Sequence, residues 1–394
     1  MPRYRKRHRR QTCCYPRHHG QRAGTRRWYG MRAWLRFGLV AAIATVLVSP
    51  GVAKRHGRSR PSPTQSPHKQ SDAEIEEATQ LQVFLDRANF SPGKIDGHYN
   101  DFTLKALALY RQSRGESVPP PSPKPDTVPD LTGIDLATVH PVFIQYTVTD
   151  ADIKNIGPVP RGQSTAVAAE KAKLPALPYR DVGQEIAEKF HVDEKFLGQL
   201  NPDKNGAILK AGDEVNVPNV EPFDLDAVKN LKPGSELTAD AANEMPDEPD
   251  SGSPAGAVAD SVRIKVDVKT KMLGVFEGEK IVAAYPVTIG SSNIPTPIGE
   301  WKVRGVVKLP TFRYDERMLN RGKRSRKFYI LRPGPNNPVG VIWIALNKRG
   351  IGIHGTDEPD TIGHGVSHGC IRLANWDVVR LATRVKAGVP VSVH

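Results

Sequence analysis

A cysteine and a histidine near the C-terminus are the residues best suited to do chemistry. Cys370 and His354 are sixteen positions apart, in the segments Ser367-His368-Gly369-Cys370-Ile371-Arg372 and Ile353-His354-Gly355-Thr356. A thiol is a weak nucleophile until a base removes its proton, and an imidazole suits that task at neutral pH. We expect the pair on neighbouring turns, with His354 as the base. The N–H groups of Gly369 and Cys370 are candidate oxyanion donors, since glycine lets the main chain approach a substrate closely.

Cys370 and His354 each also have a purely structural interpretation. A free cysteine is most often a small buried hydrophobe, and a histidine before glycine is most often a turn residue. Zinc binding is a further alternative, with the ligands His354, His364, His368 and Cys370. Structural zinc sites usually contain paired cysteines or a spaced histidine pair, and this region has one thiol. The combination of Cys370 with His354 therefore favours catalysis, and we expect no metal and no organic cofactor.

Four segments in the last third of the chain resemble the signature of the L,D-transpeptidase catalytic domain of the YkuD type. In order they are Thr296-Pro297-Ile298-Gly299-Glu300-Trp301, Pro335-Asn336-Asn337-Pro338-Val339-Gly340, Ile353-His354-Gly355-Thr356 and Ser367-His368-Gly369-Cys370-Ile371-Arg372-Leu373. The resemblance implies that Cys370 attacks a peptidoglycan stem peptide between a diamino acid at its third position and D-alanine at its fourth. It also implies that His354 is the general base and that an amine acceptor resolves the resulting thioester into a cross-link.

Several residues beside the pair are expected to support it. These are Gly355 in the first turn and Ser367, His368 and Gly369 in the second, with His368 shaping that turn. We expect Arg372 to hold local carbonyl groups, because its five donors need partners near a tight turn; the alternative is contact with a substrate carboxylate. His364 occupies a position where the family more often has a longer basic residue, which makes the charge there depend on pH.

Residues 1–53 are predicted to be a leader. Residues 1–30 are rich in arginine and contain no acid. From Met31 a basic stretch, an apolar run (residues 37–48) and a small-residue ending at Ala53 have the anatomy of a secretory signal peptide. The true start is then Met31, or residues 25–28 are a loose twin-arginine signal. The run is short for a stable transmembrane span, so we expect an exported protein of the periplasm or cell wall that begins near Lys54.

Without this leader the composition has a different meaning. Residues 1–53 hold twelve of the 56 Lys and Arg and no acid, so the remainder carries 44 bases against 42 acids. The high net charge is therefore no argument for a nucleic-acid partner. The leader also holds Cys13 and Cys14, which leaves Cys370 as the only cysteine after residue 53. A lone thiol in an oxidising compartment cannot form an internal disulfide, which favours a reactive role.

Two small modules are predicted between the leader and the catalytic region. Residues 54–71 are a disordered proline-serine linker. Residues 72–113 have two helical periodicities around a Pro-Gly and Asp-Gly turn, and Gln82, Asp96, Gly97 and Thr103 match the pattern of a peptidoglycan-binding helical domain. Residues 114–140 are a second linker. The alternative for the helical module is a spacer that binds no ligand.

Residues 141–220 partly resemble the LysM carbohydrate-binding module, in which two helices lie on a two-stranded sheet. The opening strand, near residues 145–148, is separated from the helices by an unusually long insert that contains proline. A degenerate module without glycan affinity is the interpretation we favour slightly. Residues 221–258 are acidic and rich in Pro, Ser and Gly, and are predicted to be a third linker.

The catalytic domain is predicted at residues 259–394. Alternating apolar residues mark strands at 262–268 and 281–287, a hairpin turn at 277–280, and further strands at 301–307 and 341–346. We therefore expect a multidomain protein whose catalytic domain is mainly antiparallel β with short helices, one of them after Leu373. Residues 312–332 are rich in Arg and Lys; they are either a solvated loop or, as we favour, a loop that borders the site.

The sequence thus predicts a peptidoglycan L,D-transpeptidase whose partners are stem peptides and glycan, with a wall-anchored protein as another possible amine acceptor. An L,D-carboxypeptidase or cross-link hydrolase would use the same thioester and let water resolve it. A wall-binding scaffold without activity is the non-enzymatic alternative.

Overall fold

The computed structural model describes residues 70–116, 127–232, 236–237, 262–365 and 367–394. Predictions for the leader (1–53), for nearly all of the first linker (54–71) and for parts of the two later linkers lie outside these residues. The described residues belong to one compact unit, Pro67–His394. No helix in the described part of the chain is long and apolar enough to cross a membrane.

Two helices, α1 (Asp72–Arg87) and α2 (Asp101–Ser113), form the first module. Ser71 begins α1: its side chain accepts from the N–H of Glu74, and the Glu74 carboxylate accepts from the N–H of Ser71. This reciprocal cap satisfies N–H groups that a helix otherwise leaves unpaired. The predicted pair of helices is confirmed.

The turn between these helices is held by its own motif residues. The buried Gln82 amide donates to Asp96 Oδ1 over 2.8 Å and to Thr103 Oγ1 over 3.1 Å, and its oxygen accepts from the N–H of Gly97 over 3.0 Å. Gly97 has a φ of +75°, a conformation that side chains other than glycine rarely adopt. The matched residues are therefore explained by the turn they form. Ligand binding by this module stays a prediction.

The second module is a two-stranded sheet covered by helices. Its elements are β1 (Phe143–Thr147), α3 (Asp150–Lys154), α4 (Thr165–Lys171), α5 (Val182–Lys189), α6 (Glu194–Leu200) and β2 (Glu214–Pro218). β1 and β2 pair antiparallel, with Tyr146 opposite Val215. Phe190 and Leu197 belong to the core beneath the helices. The predicted opening strand and the two helices after the insert are confirmed, whereas α4 packs elsewhere, against the catalytic domain.

The described part of the third predicted linker is structured, which differs from the expectation of a free connector. It forms α7 (Leu225–Asn230), and Val228 is fully buried in the core of the catalytic domain. Glu236 then makes a β-bridge with Val306. Apolar residues are sparse in this acidic stretch, so composition alone did not reveal that a few of them are buried.

The catalytic domain is built on one eight-stranded sheet. Its elements are β3 (Val262–Asp267), β4 (Met272–Glu277), β5 (Lys280–Pro286), β6 (Gly299–Lys308), β7 (Phe312–Tyr314), α8 (Glu316–Arg321), β8 (Tyr329–Leu331), β9 (Ile342–Leu346), β10 (Gly352–His354), β11 (Ile371–Arg372), α9 (Asn375–Ala382) and β12 (Pro390–Val393).

The strand order is β11-β10-β9-β6-β12-β3-β4-β5. β10 pairs with β11 and β12 with β3 in parallel, and the other neighbours are antiparallel. The prediction of a mainly antiparallel domain with a helix after Leu373 is confirmed. Residues 312–332 are a β7–β8 hairpin that encloses α8, and not an irregular loop.

Helix α9 joins the catalytic domain to both smaller modules through buried polar contacts. The Arg380 guanidinium donates to both carboxylate oxygens of Asp86 in α1, over 3.0 and 2.9 Å. His191 Nδ1 lies 3.0 Å from Asp86 Oδ2, and the His191 ring stacks on Trp376. Burial alone would raise the pKa of Asp86, but Arg380 and His191 outweigh it and hold that pKa well below its usual value.

This cluster generates a stability prediction. Replacing Arg380 with Met leaves the Asp86 carboxylate buried beside one imidazole, and such a loss typically costs about 3–5 kcal/mol. We expect Arg380→Met to lower the free energy of unfolding by that amount in urea titrations. Arg324 is exposed, so Arg324→Met should change it by less than about 0.5 kcal/mol. Equal stabilities for the two variants would contradict the role given to Arg380.

Candidate active site

Two adjacent parallel strands bring the predicted nucleophile and base to one face of the sheet. In the β10–β11 pair, Ile353 lies opposite Ile371 and His354 opposite Arg372. Side chains alternate between faces along a strand, so Cys370, two residues before Arg372, shares the face of His354. The pairing of β10 with β11 therefore places the motif that contains His354 beside the motif that contains Cys370.

The turn before β11 presents the sulfur. Gly369 has a φ of +100°, and a Cβ there would lie 3.3 Å from Ile351 and 3.5 Å from the Pro295 carbonyl oxygen. The buried Ser367 closes the turn, since its hydroxyl donates to the Cys370 carbonyl over 2.5 Å and its N–H donates to the Ile289 carbonyl over 2.8 Å. The N–H groups of Gly369 and Cys370 donate no hydrogen bond within the described residues. His368 is exposed at the edge of this turn.

The turn after His354 is built against one asparagine. A Cβ on Gly355 would lie 2.1 Å from Asn375 Oδ1, and one on Gly340 would lie 2.2 Å from the same atom. Asn375 Oδ1 accepts from the N–H of Val341 over 3.1 Å, and its amide donates over 3.1 Å to Glu188 in α5 of the second module. Glycine at 355 and 340 is therefore required by close packing against Asn375.

The imidazole of His354 is held as a neutral base. It is 3 % exposed and stacks on Trp343 with ring centroids 5.2 Å apart. Nδ1 lies 2.6 Å from the Gly355 carbonyl oxygen, so Nδ1 donates its proton there and Nε2 remains an acceptor. Burial and then the Arg372 charge lower the pKa of His354 to about 3, against the opposing effect of the Gly355 bond. At neutral pH the ring is uncharged and able to accept a proton.

Cys370 is held as a thiol. Burial raises its pKa above the ordinary value, while the Gly352 N–H and the Arg372 charge act in the opposite direction. The sulfur donates over 3.4 Å to the Gly350 carbonyl oxygen. Among the described residues it makes no hydrogen bond to His354, although the two side chains line the same pocket. Catalytic hydrogen bonds are often long before substrate binds, so the pair remains a sound candidate.

The pocket around the sulfur has a volume of about 130 Å³. It is lined by Cys370, His354 and Arg372 of the sheet region, by the β7–β8 hairpin and by the insert of the second module. The insert contributes Gly162, Gln163, Ala168 and Lys171, and the hairpin contributes Phe312, Arg313, Tyr314, Met318, Leu319 and Leu331.

Arg372 does not behave as the sequence led us to expect. Its buried Nε has no hydrogen-bond partner in the described part of the chain. Burial lowers the pKa of His354 and of His368, and the Arg372 charge adds to that effect; at Cys370 the same charge opposes the burial that raises the pKa of the thiol. His364 is exposed and packs edge-on to Phe102 of the first module. The residues described contain no group of three or more His, Cys, Asp or Glu arranged to hold a metal.

Three features of the site were not found from the sequence. Trp343 stacks on the base, Asn375 supports its turn, and the insert of the second module lines the pocket. The unusual length of the insert was the available signal for the third. Trp343 and Asn375 stand in ordinary strand and helix positions, where sequence offers no sign of their contacts.

Comparisons with known proteins agree with this geometry. The family model for the L,D-transpeptidase catalytic domain matches residues 261–393. A putative L,D-transpeptidase, YkuD, of Bacillus licheniformis is 28 % identical over 210 residues, which cover 53 % of this chain and 92 % of the relative. YqjB of Bacillus subtilis, also a putative L,D-transpeptidase, is 32 % identical over 32 % of this chain and 67 % of the relative.

Solved structures match over about a third of the chain. An L,D-transpeptidase from Mycobacterium smegmatis is similar at 22 % identity and a TM-score of 0.28, over 34 % of this chain and 58 % of that one. The chain therefore spans less than two thirds of that solved protein.

The electrostatics of the site generate a prediction about thiol reactivity. Arg372 stabilises the thiolate, so Arg372→Gln should raise the pKa of Cys370 and slow its alkylation by iodoacetamide at pH 8 severalfold, while Arg372→Lys retains the charge and most of the rate. The measurement is the rate of mass increase against pH. Equal rates for the Gln variant and the unmodified chain would show that the guanidinium does not act on the sulfur.

The hydrogen bond from Asn375 to Glu188 generates a second prediction. Burial raises the pKa of Glu188 to about 7, opposed by its bonds from Tyr179 and Asn375. The folded chain thus keeps a proton on Glu188 that the unfolded chain loses near pH 4, so this group makes stability fall as pH rises from about 4 to 7. Glu188→Gln should make the fall in melting temperature between pH 4 and 7 shallower, whereas Glu76→Gln, at an exposed position of α1, should leave it unchanged. Parallel curves for all three proteins would argue against a protonated Glu188.

Proposed function

We propose, from the premise that this chain belongs to the L,D-transpeptidase family through its catalytic domain at residues 261–393, that it cross-links peptidoglycan stem peptides through a thioester on Cys370. The observation that supports this most directly is the placement of Cys370 and His354 on one face of paired strands, lining one pocket. A neutral imidazole beside a protonated thiol is the starting state that base-assisted acyl transfer requires.

The reaction begins when His354 Nε2 accepts the thiol proton and the sulfur attacks the carbonyl carbon of the diamino acid. The N–H groups of Gly369 and Cys370, which donate to no other group in the described chain, receive the negative oxygen. Collapse of this intermediate breaks the bond to D-alanine, whose nitrogen takes the proton from His354. An acyl group then remains on sulfur as a thioester.

The second half of the reaction repeats these steps with an amine as the nucleophile. The amine of a second stem peptide attacks the thioester carbonyl and loses a proton to His354. The sulfur leaves and regains a proton, and the new amide is the cross-link. Arg372 has a buried Nε available to a substrate carboxylate, so we assign it that role in place of holding local carbonyls. Ser367, His368 and Gly355 keep the two turns in shape.

We propose that it is exported to the periplasm or cell wall, where its substrate is, and that the two smaller modules contribute affinity for the wall. The second module has a groove of about 230 Å³ between the residues around Asp181 and those around Asn201. We assign glycan to this groove, against the alternative of a degenerate module without glycan affinity. Water in place of the amine would make the enzyme an L,D-carboxypeptidase, and a wall-anchored protein is an alternative acceptor.

The first test is the intact mass of the chain after incubation with a disaccharide tetrapeptide. We expect an adduct equal to the muropeptide minus D-alanine, with none on Cys370→Ala. His354→Asn should form it about 100- to 10,000-fold more slowly, the range usual for loss of a general base. An adduct that persists in Cys370→Ala would exclude this nucleophile.

Product analysis then separates the alternatives. A dimer joined through two diamino acids identifies the transpeptidase, and free tripeptide identifies the carboxypeptidase. If no stem peptide gives an adduct or a product, the scaffold interpretation is the one that remains.

A further inference from the structure

The β7–β8 hairpin, residues 312–332, concentrates positive charge that the rest of the chain lacks. Of the 44 Lys and Arg and the 42 acids that follow residue 53, the hairpin holds eight and two, which leaves 36 and 40 elsewhere. The hairpin is thus cationic on a molecule whose remainder is slightly anionic, so an anionic surface would approach this side first. Seven of its eight cations are exposed: Arg317, Arg321, Lys323, Arg324, Arg326, Lys327 and Arg332.

These seven cations do not hold the protein together. None of their charged groups forms an ion pair within the part of the chain that the structure describes. Arg317 and Arg321 stand four residues apart on α8, a spacing at which like charges repel. The buried Asp315 is already engaged, since its carboxylate accepts from Arg313 over 2.7 Å and from the N–H of Ser325 over 2.7 Å. The exposed cations therefore cost repulsion, gain no internal partner and are available to an external anion.

Two large apolar side chains are exposed among these cations. Phe328 is 44 % and Ile330 41 % exposed, and the three other large apolar side chains as open as these in the described residues lie in separate segments. Phe328, Ile330 and Arg332 follow one another at intervals of two, so they share the outward face of β8. Arg313 lies opposite Ile330, and its guanidinium is 3.8 Å from the centre of the Phe328 ring. One face thus combines apolar and cationic groups.

The apolar side chains distinguish a lipid surface from a soluble polyanion. Phosphate groups of either kind would match the cations, but Phe328 and Ile330 would stay in water beside a soluble polymer. At a bilayer they enter the boundary between headgroups and acyl chains, where removal of apolar surface from water is favourable. Cations beside them gain from the negative potential of anionic lipids. The observations therefore favour a membrane.

We propose that the β7–β8 hairpin is a docking surface for a membrane rich in anionic lipids. Its cations lie at the lipid phosphate groups, and Phe328 and Ile330 enter the acyl boundary. The buried Tyr314 and Leu331 of the same hairpin line the sulfur pocket, so docking holds that pocket beside the lipid surface. The proposal does not depend on the reaction assigned to Cys370.

The test measures cosedimentation with vesicles of phosphatidylglycerol and phosphatidylcholine in about 0.15 M salt. The chain is used from residue 54 onward, because the apolar run of the predicted leader would bind lipid by itself and the compact unit begins only at Pro67. The triple variant Arg324→Gln, Arg326→Gln and Lys327→Gln should lower the partition coefficient about 100-fold, since each cation near an anionic surface contributes about fivefold. Vesicles of phosphatidylcholine alone should bind the unmodified hairpin at least about tenfold more weakly.

A matched control removes the same charge elsewhere. The triple variant Lys195→Gln, Lys210→Gln and Lys386→Gln changes exposed cations outside the hairpin. Binding should then fall by less than about fivefold, because charges more than about 8 Å from the membrane are screened. A further pair of variants tests the apolar groups: Phe328→Thr with Ile330→Thr should weaken binding about tenfold, and Phe328→Leu with Ile330→Leu should keep most of it.

Three results would overturn the proposal. Absence of binding to vesicles that contain phosphatidylglycerol would refute the docking surface outright. Equal losses in the two triple variants would show that net charge, and not the hairpin, attracts the lipid. Unchanged binding of the Thr pair, together with equally tight binding of inorganic polyphosphate, would assign the hairpin to a soluble polyanion instead. Melting temperatures of all variants are measured alongside, and the exposed charge variants should keep that of the unmodified chain.

Discussion

Burial of the His354 ring is the constraint on which the rest of the site depends. A buried imidazole stays neutral, and its one N–H group then needs a hydrogen-bond acceptor. The Gly355 carbonyl oxygen is the acceptor for the N–H at Nδ1. That bond fixes the turn at Gly355 against Asn375, and Asn375 is in turn bonded to Glu188 of the second module. The base is therefore held in its tautomer by a chain of contacts that begins in another module. The catalytic domain alone would lack the last of them.

The modules share apolar cores, such as the one that holds Phe90 and Ile281, and buried ion pairs lie beside this packing. The pairs of Arg380 with Asp86 and of Lys171 with Asp357 are buried, so each loses hydration that its partner must replace. Such contacts are weak as a source of stability and strong as a source of specificity, because an altered arrangement leaves a charge unpaired. They favour one relative placement of the modules.

The sequence predicted the local elements well and the contacts between modules poorly. Period-two alternation located β3 and β5, and the paired glycine motifs identified Cys370 and His354, because both signals lie within a few consecutive residues. Lys171 is different: at the end of a short helix and next to Glu170 it has the pattern of a solvated lysine, and its partner Asp357 is far along the chain. The insert that carries it was noticed only for its length. Burial of a charge is decided by a partner that local patterns do not contain.

The position of β12 has a consequence for how the molecule is made. This strand lies between β3 and β6, so residues 390–393 join a three-stranded half of the sheet to the half that carries the catalytic strands. Contacts between residues so far apart in sequence form late and slowly. During synthesis the nucleophile-bearing edge thus waits on a strand that leaves the ribosome after it. The site at Cys370 is therefore complete only once β12 has joined the two halves of the sheet.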